Sequence, residues 1–424
     1  MDRPSEDRAP EDRACEAGTA EASLSRRGLI AGAAGLAAAV GAVRAATAAP
    51  APAAVSAPMS VDGAVGQMIN DKLTPGLQVA IWRKGAFTLS KGYGFANLET
   101  STPMSPASVQ HIGSISKQFT AAGLMRMREQ GKLDVDAKFS VYYPDFPRGG
   151  DITVRQMLTH TSGLGNYTDT KERATFYDRA RHDYPSAELY AAMKSQTDPE
   201  FVAEPGTAWH YSNSAFVLLG LLFEKLAGEP YAAALRHQVL DPAGLQFTAD
   251  DDLSEVVPNR ASGYTPDQKA PSGYINAAFI SMTYPGGAGA LRSTCEDLCR
   301  WHQALLDGKV VNAESLKMMI TPGRLSDGAI PTAKGKDGKP VIGPDGKPVE
   351  IKYGFGLGIG EDAHGLSIEH GGGIFGFLSN IKTWVDSRVS LARIQNCDAN
   401  EASAPKLAPA WKAIDAAMEK AAFG

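Results

Sequence analysis

Three serines in this chain stand three residues ahead of a lysine: Ser114/Lys117, Ser379/Lys382 and Ser403/Lys406. On a helix, residues so spaced share a face, with about 5–6 Å between them, and the ammonium lies beside the hydroxyl. That charge, with the positive end of the helix beneath it, favours a developing alkoxide or oxyanion, which is what nucleophilic acyl transfer needs. Context separates the three. Ser114 opens an amphipathic helical pattern running to Glu129, with Phe119, Leu124 and Met127 at helical spacing and Gly131 as its stop. Ser379 and Lys382 fall in an expected strand, where positions i and i+3 project to opposite faces. Ser403 and Lys406 span Pro405 just ahead of a terminal helix. A serine at a helix start can equally be an N-cap, so the pattern at Ser114 needs support from elsewhere.

Two further groups supply it. Tyr211-Ser212-Asn213 follows Pro205-Gly206-Thr207-Ala208-Trp209-His210. A phenol with pKa near 10 becomes a useful base only where cations lower it, and Lys117 would supply one such charge. Asn213 would hydrogen-bond that ammonium or a substrate amide. Tyr274-Ile275-Asn276 repeats the spacing, so a packed tyrosine with a loop asparagine is the competing reading. The second group is His370-Gly371-Gly372-Gly373. Glycine in a strand marks close backbone approach, and the N–H groups of Gly373 and Ser114 would form a two-donor oxyanion hole. A glycine-rich turn between strands is the alternative. Which of Lys117 and Tyr211 acts as base stays open, because two such groups titrate as a pair.

Other chemistries lack their residues. There is no Gly-x-Ser-x-Gly, His-Glu-x-x-His, phosphate loop or dinucleotide fingerprint, and the four cysteines show no zinc spacing. No metal and no cofactor is expected. A formal net charge of −5 leaves no global basic field to hold nucleic acid. His160, in Thr159-His160-Thr161-Ser162-Gly163, reads as a satisfied structural histidine, His210 as a wall residue, and Cys295 and Cys299 as core or free thiols.

The elements that must position these groups alternate in type along the chain. Val61–Asn70 has helical spacing; 77–82 and 87–93 read as strands joined through Lys84-Gly85. Between about 130 and 285 strand signals fade and helical stretches such as 187–194 and 214–227 dominate. Strands return at 366–369, 377–385 and 389–395, after a helix at 294–306 and before a closing one at 408–422 with Pro409 in its first turn. This order predicts an α/β (α+β) fold: an antiparallel sheet built from both termini and flanked by helices (59–125 plus 286–424), with a mostly helical lobe inserted at 126–285. The cleft between the lobes is the natural place for a site. Asp337-Gly338-Lys339-Pro340-Val341 recurs at 345–349, marking 336–349 as an exposed hairpin insertion or a lid.

Residues 1–58 read as an address. Ser25-Arg26-Arg27-Gly28 precedes a weakly apolar Ala/Gly run to Val43 and an Ala/Pro stretch to Pro58, a twin-arginine export pattern. The run falls short of the ~20 apolar residues a membrane span needs, so no stable anchor is expected after signal removal, and the mature protein is expected in the periplasm or outside the cell.

Taken together, Ser114-x-x-Lys117, Tyr211-Ser212-Asn213 and His370-Gly371-Gly372 make the chain resemble the serine β-lactamase and penicillin-binding-protein-like hydrolases. Also in keeping are His111-Ile112-Gly113, Leu158-Thr159-His160-Thr161-Ser162-Gly163-Leu164, Gly287-Ala288-Gly289 and Tyr353-Gly354-Phe355-Gly356-Leu357. The branch includes class C β-lactamases, D-alanyl-D-alanine carboxypeptidases, D-aminopeptidases and esterases. The resemblance implies a β-lactamase/transpeptidase-like fold, Ser114 as acylated nucleophile, and Lys117 and Tyr211 as the proton-handling pair. It also implies Asn213 against the substrate amide and the strand from His370 to Gly372 as a wall of the site. The substrate would be a small molecule, ester or peptide, cell-wall peptide included. One departure matters: class C β-lactamases carry Lys-Thr-Gly where this chain has His370-Gly371-Gly372. A histidine is only fractionally charged at pH 7, and losing one charge-assisted bond to a carboxylate costs about 1.5–3 kcal/mol. Amide, peptide or ester hydrolysis is therefore expected ahead of true β-lactam hydrolysis. A non-catalytic cell-wall-peptide-binding module is the remaining alternative, and its mark would be loss of Ser, Lys or Tyr from the set.

Overall fold

The computed structural model describes residues 59–169, 173–197, 201–335 and 337–424; the expected export signal at 1–58 lies outside the described residues. The strands of its main sheet are β1 (Gly76–Arg83), β2 (Ala86–Asn97), β3 (Thr102–Pro103), β4 (Gly358–Asp362), β5 (Gly365–Ile374), β6 (Phe377–Trp384) and β7 (Val389–Gln395). They pair antiparallel in the order β3-β2-β1-β7-β6-β5-β4, so the two ends of the chain meet at the β1–β7 seam, where Leu77 faces Gln395 and Trp82 faces Ser390. The structure thus has the mixed α/β architecture expected of the sequence, an antiparallel sheet flanked by helices.

The helices that matter here are α1 (Val61–Asn70), α2 (Ser116–Glu129), α3 (Asn213–Ala227), α4 (Cys295–Leu306) and α5 (Ala404–Phe423). On one face of the sheet, Val65 and Met68 of α1 and Ile414 and Met418 of α5 form a core with Leu77, Val79 and Leu391. The other face packs against α4, whose Trp301 stacks on Phe119 of α2 with ring centroids 4.2 Å apart. Cys295, Cys299 and Cys397 are buried, free thiols. Between 130 and 285 the helices Val154–Leu158, Ser186–Thr197 and Tyr231–Leu235 pack on α3, and the region also holds the helix Arg173–Ala180 and the short strands Ala249–Asp250, Tyr264–Pro266 and Tyr274–Asn276.

Three expectations need correction. The helix after Ser114 begins at Ser116, behind a 3-10 turn at Gly113–Ile115, and from Ser116 to Met125 every side chain is buried. It is a core helix, not an amphipathic one. The closing helix starts a turn early, at Ala404, with Pro405 in its first turn and Pro409 inside it. Pro409 is tolerated there because the only backbone bond it forfeits is to the carbonyl of Pro405, at the helix start. The third concerns the extent of the insertion: the two turns of 336–349 are preceded by a related third at Asp327-Gly328. At Asp327-Gly328, Asp337-Gly338 and Asp345-Gly346 the aspartate Oδ1 accepts the N–H two residues on, at 2.9, 3.1 and 3.1 Å. Each turn is closed by the same backbone bond, Leu325 N–H to Ala329 (2.9 Å), Gly335 to Lys339 (2.8 Å) and Gly343 to Lys347 (2.8 Å). The stems bond in a ring: Val341 N–H to the Ala333 carbonyl, Ala333 N–H to Val349, and Val349 N–H to Val341. The first copy, Asp327-Gly328-Ala329-Ile330-Pro331, lacks the Lys-Pro-Val that made the other two visible.

Candidate active site

Ser114 occupies the middle of the Gly113–Ile115 turn and is 5% exposed. The turn is fixed from both sides. Ser116 Oγ donates to the Gly113 carbonyl (2.7 Å) and accepts from the N–H of Leu291 (3.1 Å). Gly113 has φ +51, and a Cβ on it would lie 2.9 Å from the backbone of Gly373. On β5, a Cβ on Gly372 would lie 1.9 Å from the Ile112 carbonyl oxygen. Glycine is required at both positions because the strand backbone lies directly on the nucleophile turn. Gly373 and Ser114, the expected oxyanion-hole pair, are therefore neighbours. The N-cap reading of Ser114 fails: the residue capping α2 is Ile115, and no side chain caps that end.

Lys117 is fully buried, and its Nζ has three partners: Ser114 Oγ at 3.0 Å, Asn213 Oδ1 at 2.7 Å and the Ala288 carbonyl at 2.7 Å. Asn213 is oriented by its Nδ2, which donates to Thr168 Oγ1 (3.3 Å), and it begins α3 where Ser212 caps the helix by accepting from Ala215 N–H. Burial holds the Lys117 pKa well below the ordinary lysine value. A neutral amine has two N–H bonds and one lone pair. Asn213 Oδ1 and the Ala288 carbonyl can only accept, so in that form they would take both N–H bonds and leave the lone pair facing the Ser114 hydroxyl, whereas the ammonium donates to all three.

Tyr211 is the other side chain at the serine. The Lys117 Nζ stands 4.9 Å from its ring centroid. Burial pushes the phenol well above its ordinary value, opposed only by its approach to the Ser114 hydroxyl, and the buried Oη has no hydrogen-bond partner among the described residues. The expectation of a phenol acidified by Lys117 is not met, because burial outweighs any lowering influence and pushes the phenol up. Tyr274, by contrast, packs with Tyr264 and Cys397 in a separate cluster, which retires the duplicate motif.

His370 faces the same centre, but not as expected. It is fully buried, its Nδ1 lies 2.6 Å from the Gly371 carbonyl, and its Nε2 lies 2.9 Å from Tyr353 Oη. The carbonyl can only accept, so Nδ1 carries the proton and Nε2 accepts from the tyrosine. Burial and the nearby Lys117 push its pKa down to about 3. The fractional positive charge expected at pH 7 is absent, and both ring nitrogens are engaged.

Sequence reasoning missed four contributors. His160, read as a satisfied structural histidine, is only half satisfied: Nδ1 accepts from the Ser212 N–H (3.2 Å), while buried Nε2 has no partner among the described residues. Its ring lies 4.4 Å from that of Tyr211 and 4.8 Å from that of Tyr353. Tyr353 anchors His370, Trp209 sits beside Tyr353 with centroids 6.1 Å apart, and the Ala288 carbonyl binds Lys117. Tyr353 and Trp209 stood within quoted motifs and could have been promoted; a main-chain carbonyl has no side-chain signature.

A Beta-lactamase family model matches residues 61–415. Among curated proteins, the chain is 30% identical over 247 residues to PbpX of Bacillus subtilis (strain 168), covering 58% of this chain and 59% of that protein. It is 27% identical over 318 residues to penicillin-binding protein 4* of the same organism, covering 72% and 64%. The chain thus spans about six-tenths of the length of these relatives. Among solved structures, the D-amino acid amidase from Ochrobactrum anthropi SV3 aligns with TM-score 0.69 at 23% identity, over 85% of this chain and 98% of that one.

Proposed function

The chain belongs to the Beta-lactamase family, and from that premise we propose that it is a serine hydrolase acting through an acyl-enzyme on Ser114, with an amide, peptide or ester as substrate. Penicillin-binding proteins, an esterase and a D-amino acid amidase are among its relatives. The observation that carries the reading is the placing of Lys117 Nζ 3.0 Å from Ser114 Oγ, held there by the Asn213 and Ala288 oxygens, so that on losing a proton the amine turns its lone pair to the serine.

In acylation, Ser114 Oγ bonds to the substrate carbonyl carbon while Lys117 takes its proton. The oxyanion is received by the N–H groups of Ser114 and Gly373. The bond to the leaving group breaks as Tyr211, protonated at rest, gives that group its phenolic proton. The acyl-enzyme therefore carries a lysine ammonium beside a tyrosinate. In deacylation the tyrosinate takes a proton from the attacking water, and Ser114 recovers its own from Lys117 as the acyl–oxygen bond breaks. The resting protonation states are restored: the Ser114 proton returns from Lys117, and the proton Tyr211 gave to the leaving group is replaced from water. Lys117 is thus the base of acylation and Tyr211 the acid, with Asn213 holding Lys117.

True β-lactam hydrolysis is the weaker reading. A neutral His370 with both nitrogens engaged offers no charge-assisted donor to a penicillin carboxylate. The test is intact mass after exposure to a small fluorophosphonate, beside a Ser114→Ala control, followed by a panel of p-nitrophenyl esters, D-aminoacyl amides and a penicillin. Labelling of Ser114 and turnover of neutral esters or amides are expected; an unlabelled protein without turnover would leave the non-catalytic binding module. Export rests on the sequence alone: replacing Arg26 and Arg27 with lysine is expected to keep the protein in the cytoplasm on fractionation.

A further inference from the structure

We propose that the three-turn module at 325–351 forms the outer wall of a leaving-group subsite that takes a neutral, apolar, preferably aromatic group. The proposal rests on the hydrolase reading and gives its site a substrate class. Beside Tyr211 lies a cavity of about 400 Å³, within the size range of small-molecule sites. One side is the loop carrying Trp209 and Tyr211; the other is made by stems of the module, including Thr332, Ala333 and Ile351. Tyr353 and Ile359 close it toward the sheet edge. Ser114 does not line it; Tyr211 does, so the cavity begins one side chain beyond the nucleophile, on the far side of the ring whose buried hydroxyl approaches Ser114. A departing atom that takes the Tyr211 proton lies at that hydroxyl, and whatever it bears extends past the ring into the cavity.

The wall is built, not draped. The Ser326 N–H donates to the Gly206 carbonyl (2.8 Å) and the Gly323 N–H to the Tyr353 carbonyl (2.8 Å). Gly206 has φ +77, and a Cβ there would lie 2.0 Å from Ser326 Oγ, so the module sits directly on the loop that presents Trp209 and Tyr211. The ring of bonds among Ala333, Val341 and Val349 fixes the stems against one another.

The lining selects against charge. Lys334 and Lys352 are matched by Glu350 and Glu369, so no net positive field favours an anion. Aromatic and aliphatic surface remains from Trp209, Tyr211, Tyr353 and Ile351, and the buried indole Nε1 of Trp209 has no partner among the described residues.

The experiment measures binding to full-length Ser114→Ala protein by calorimetry, using two neutral probes with the same acyl part, N-acetyl-D-alanine anilide and N-acetyl-D-alanine methylamide. Burying the aryl ring is expected to make the anilide bind about ten- to a hundredfold tighter. Ala333→Phe, which fills the cavity from the module, is expected to abolish that preference and leave the methylamide unchanged; Ile351→Phe fills it from the neighbouring stem and repeats the test if the first variant is unstable. A 4-carboxyanilide is expected to bind more weakly than the anilide. Equal affinities, no binding of either probe, a preference that survives both filled cavities, or a preference for the carboxylate would overturn the subsite. Fluorophosphonate labelling of the Ser114-intact protein separates the two failures: labelled enzyme with no aryl preference sinks the subsite alone, whereas unlabelled enzyme sinks the hydrolase reading.

Discussion

Two buried polar clusters flank the nucleophile turn and treat charge in opposite ways. Behind it, Asp251 accepts from Arg292 at 2.7 Å, from Arg260 at 2.6 Å and lies 2.6 Å from His111 Nε2, three residues before Ser114. Burial alone would raise that carboxyl, but these hydrogen bonds pull it well below the usual carboxylate range, so it stays ionised. In front, buried Lys117 and His370 and the Tyr211 phenol have no counter-ion among the described residues, and burial shifts all three toward their neutral forms. Burial does not decide whether a charge survives; pairing does. The paired cluster holds the strand that leads into the turn, and the unpaired one is free to move protons.

The largest test of this contrast is Lys117→Met. Removing the base should lower kcat/KM on the order of 10⁴-fold, while unfolding free energy falls by about 1–3 kcal/mol, the cost of leaving the Asn213 and Ala288 oxygens without their donor. In the wild type only the neutral amine works, so kcat/KM should rise with pH through an inflection well below the 10.5 of an ordinary lysine. An inflection at that ordinary value would mean that the ammonium survives burial.

Asp251→Ala should do the reverse. It leaves two arginines facing one another without their shared carboxylate, and breaking such a buried pair costs about 3–5 kcal/mol. Denaturant unfolding should register that loss. Activity measured per labelled Ser114, under conditions where the protein remains folded, should fall far less than for Lys117→Met. Equal losses of activity would dissolve the distinction between scaffold and chemistry.

Which parts of this were legible in advance follows from what each signal depends on. β7 was readable to the residue because Val389–Gln395 is buried on every side and bounded by a turn; α1 was readable because Ser60 caps it and its apolar spacing is regular. Ser114, Lys117, Tyr211, Asn213 and His370 were found as types, and the structure brings all five together. Their protonation states were not, because desolvation depends on what every other segment contributes. Lys117 looked like a cation near a phenol; only burial in the closed core, by segments as distant as that of Ala288, 171 positions away, lowers its pKa below that of an ordinary lysine. The helix at Ser116 was misjudged as amphipathic for the same reason, since polar residues such as Gln118 and Thr120 are buried by partners distant in sequence. The third turn of the insertion escaped because its backbone repeats where its letters do not.

His370→Lys tests whether the front cluster is defined by lack of charge. A lysine that keeps its ammonium there would restore a cation facing the substrate, at a site where a charge-assisted bond to a carboxylate is worth about 1.5–3 kcal/mol. Acylation of Ser114 by penicillin, followed by intact mass, should then accelerate by about ten- to a hundredfold, with turnover of neutral esters falling. A lysine neutralised in turn would leave penicillin reactivity unchanged and show that the pocket, not the side chain, forbids charge.

The smallest effect concerns acid stability, and the two clusters separate by pH window. An unfolded histidine takes up its proton near pH 6.5, whereas folded His370 resists until about pH 3. Between those values the unfolded state binds more protons, so stability falls as pH falls from 6.5 toward 3. Folded Asp251 is depressed below the ordinary aspartate value of 3.8, so its contribution is present above that value and is lost only below it, as pH falls toward its folded pKa. His370→Gln removes the first term and keeps a side chain that can hydrogen-bond Tyr353. The slope of unfolding free energy against pH between 6.5 and 4 should drop by at most about 1.4 kcal/mol per pH unit, one proton's worth. His302, buried and pushed down to about 3, contributes in the same window, so the slope should shrink but not vanish. An unchanged slope would mean that His370 titrates normally in the folded protein and that the front cluster does hold a charge at neutral pH.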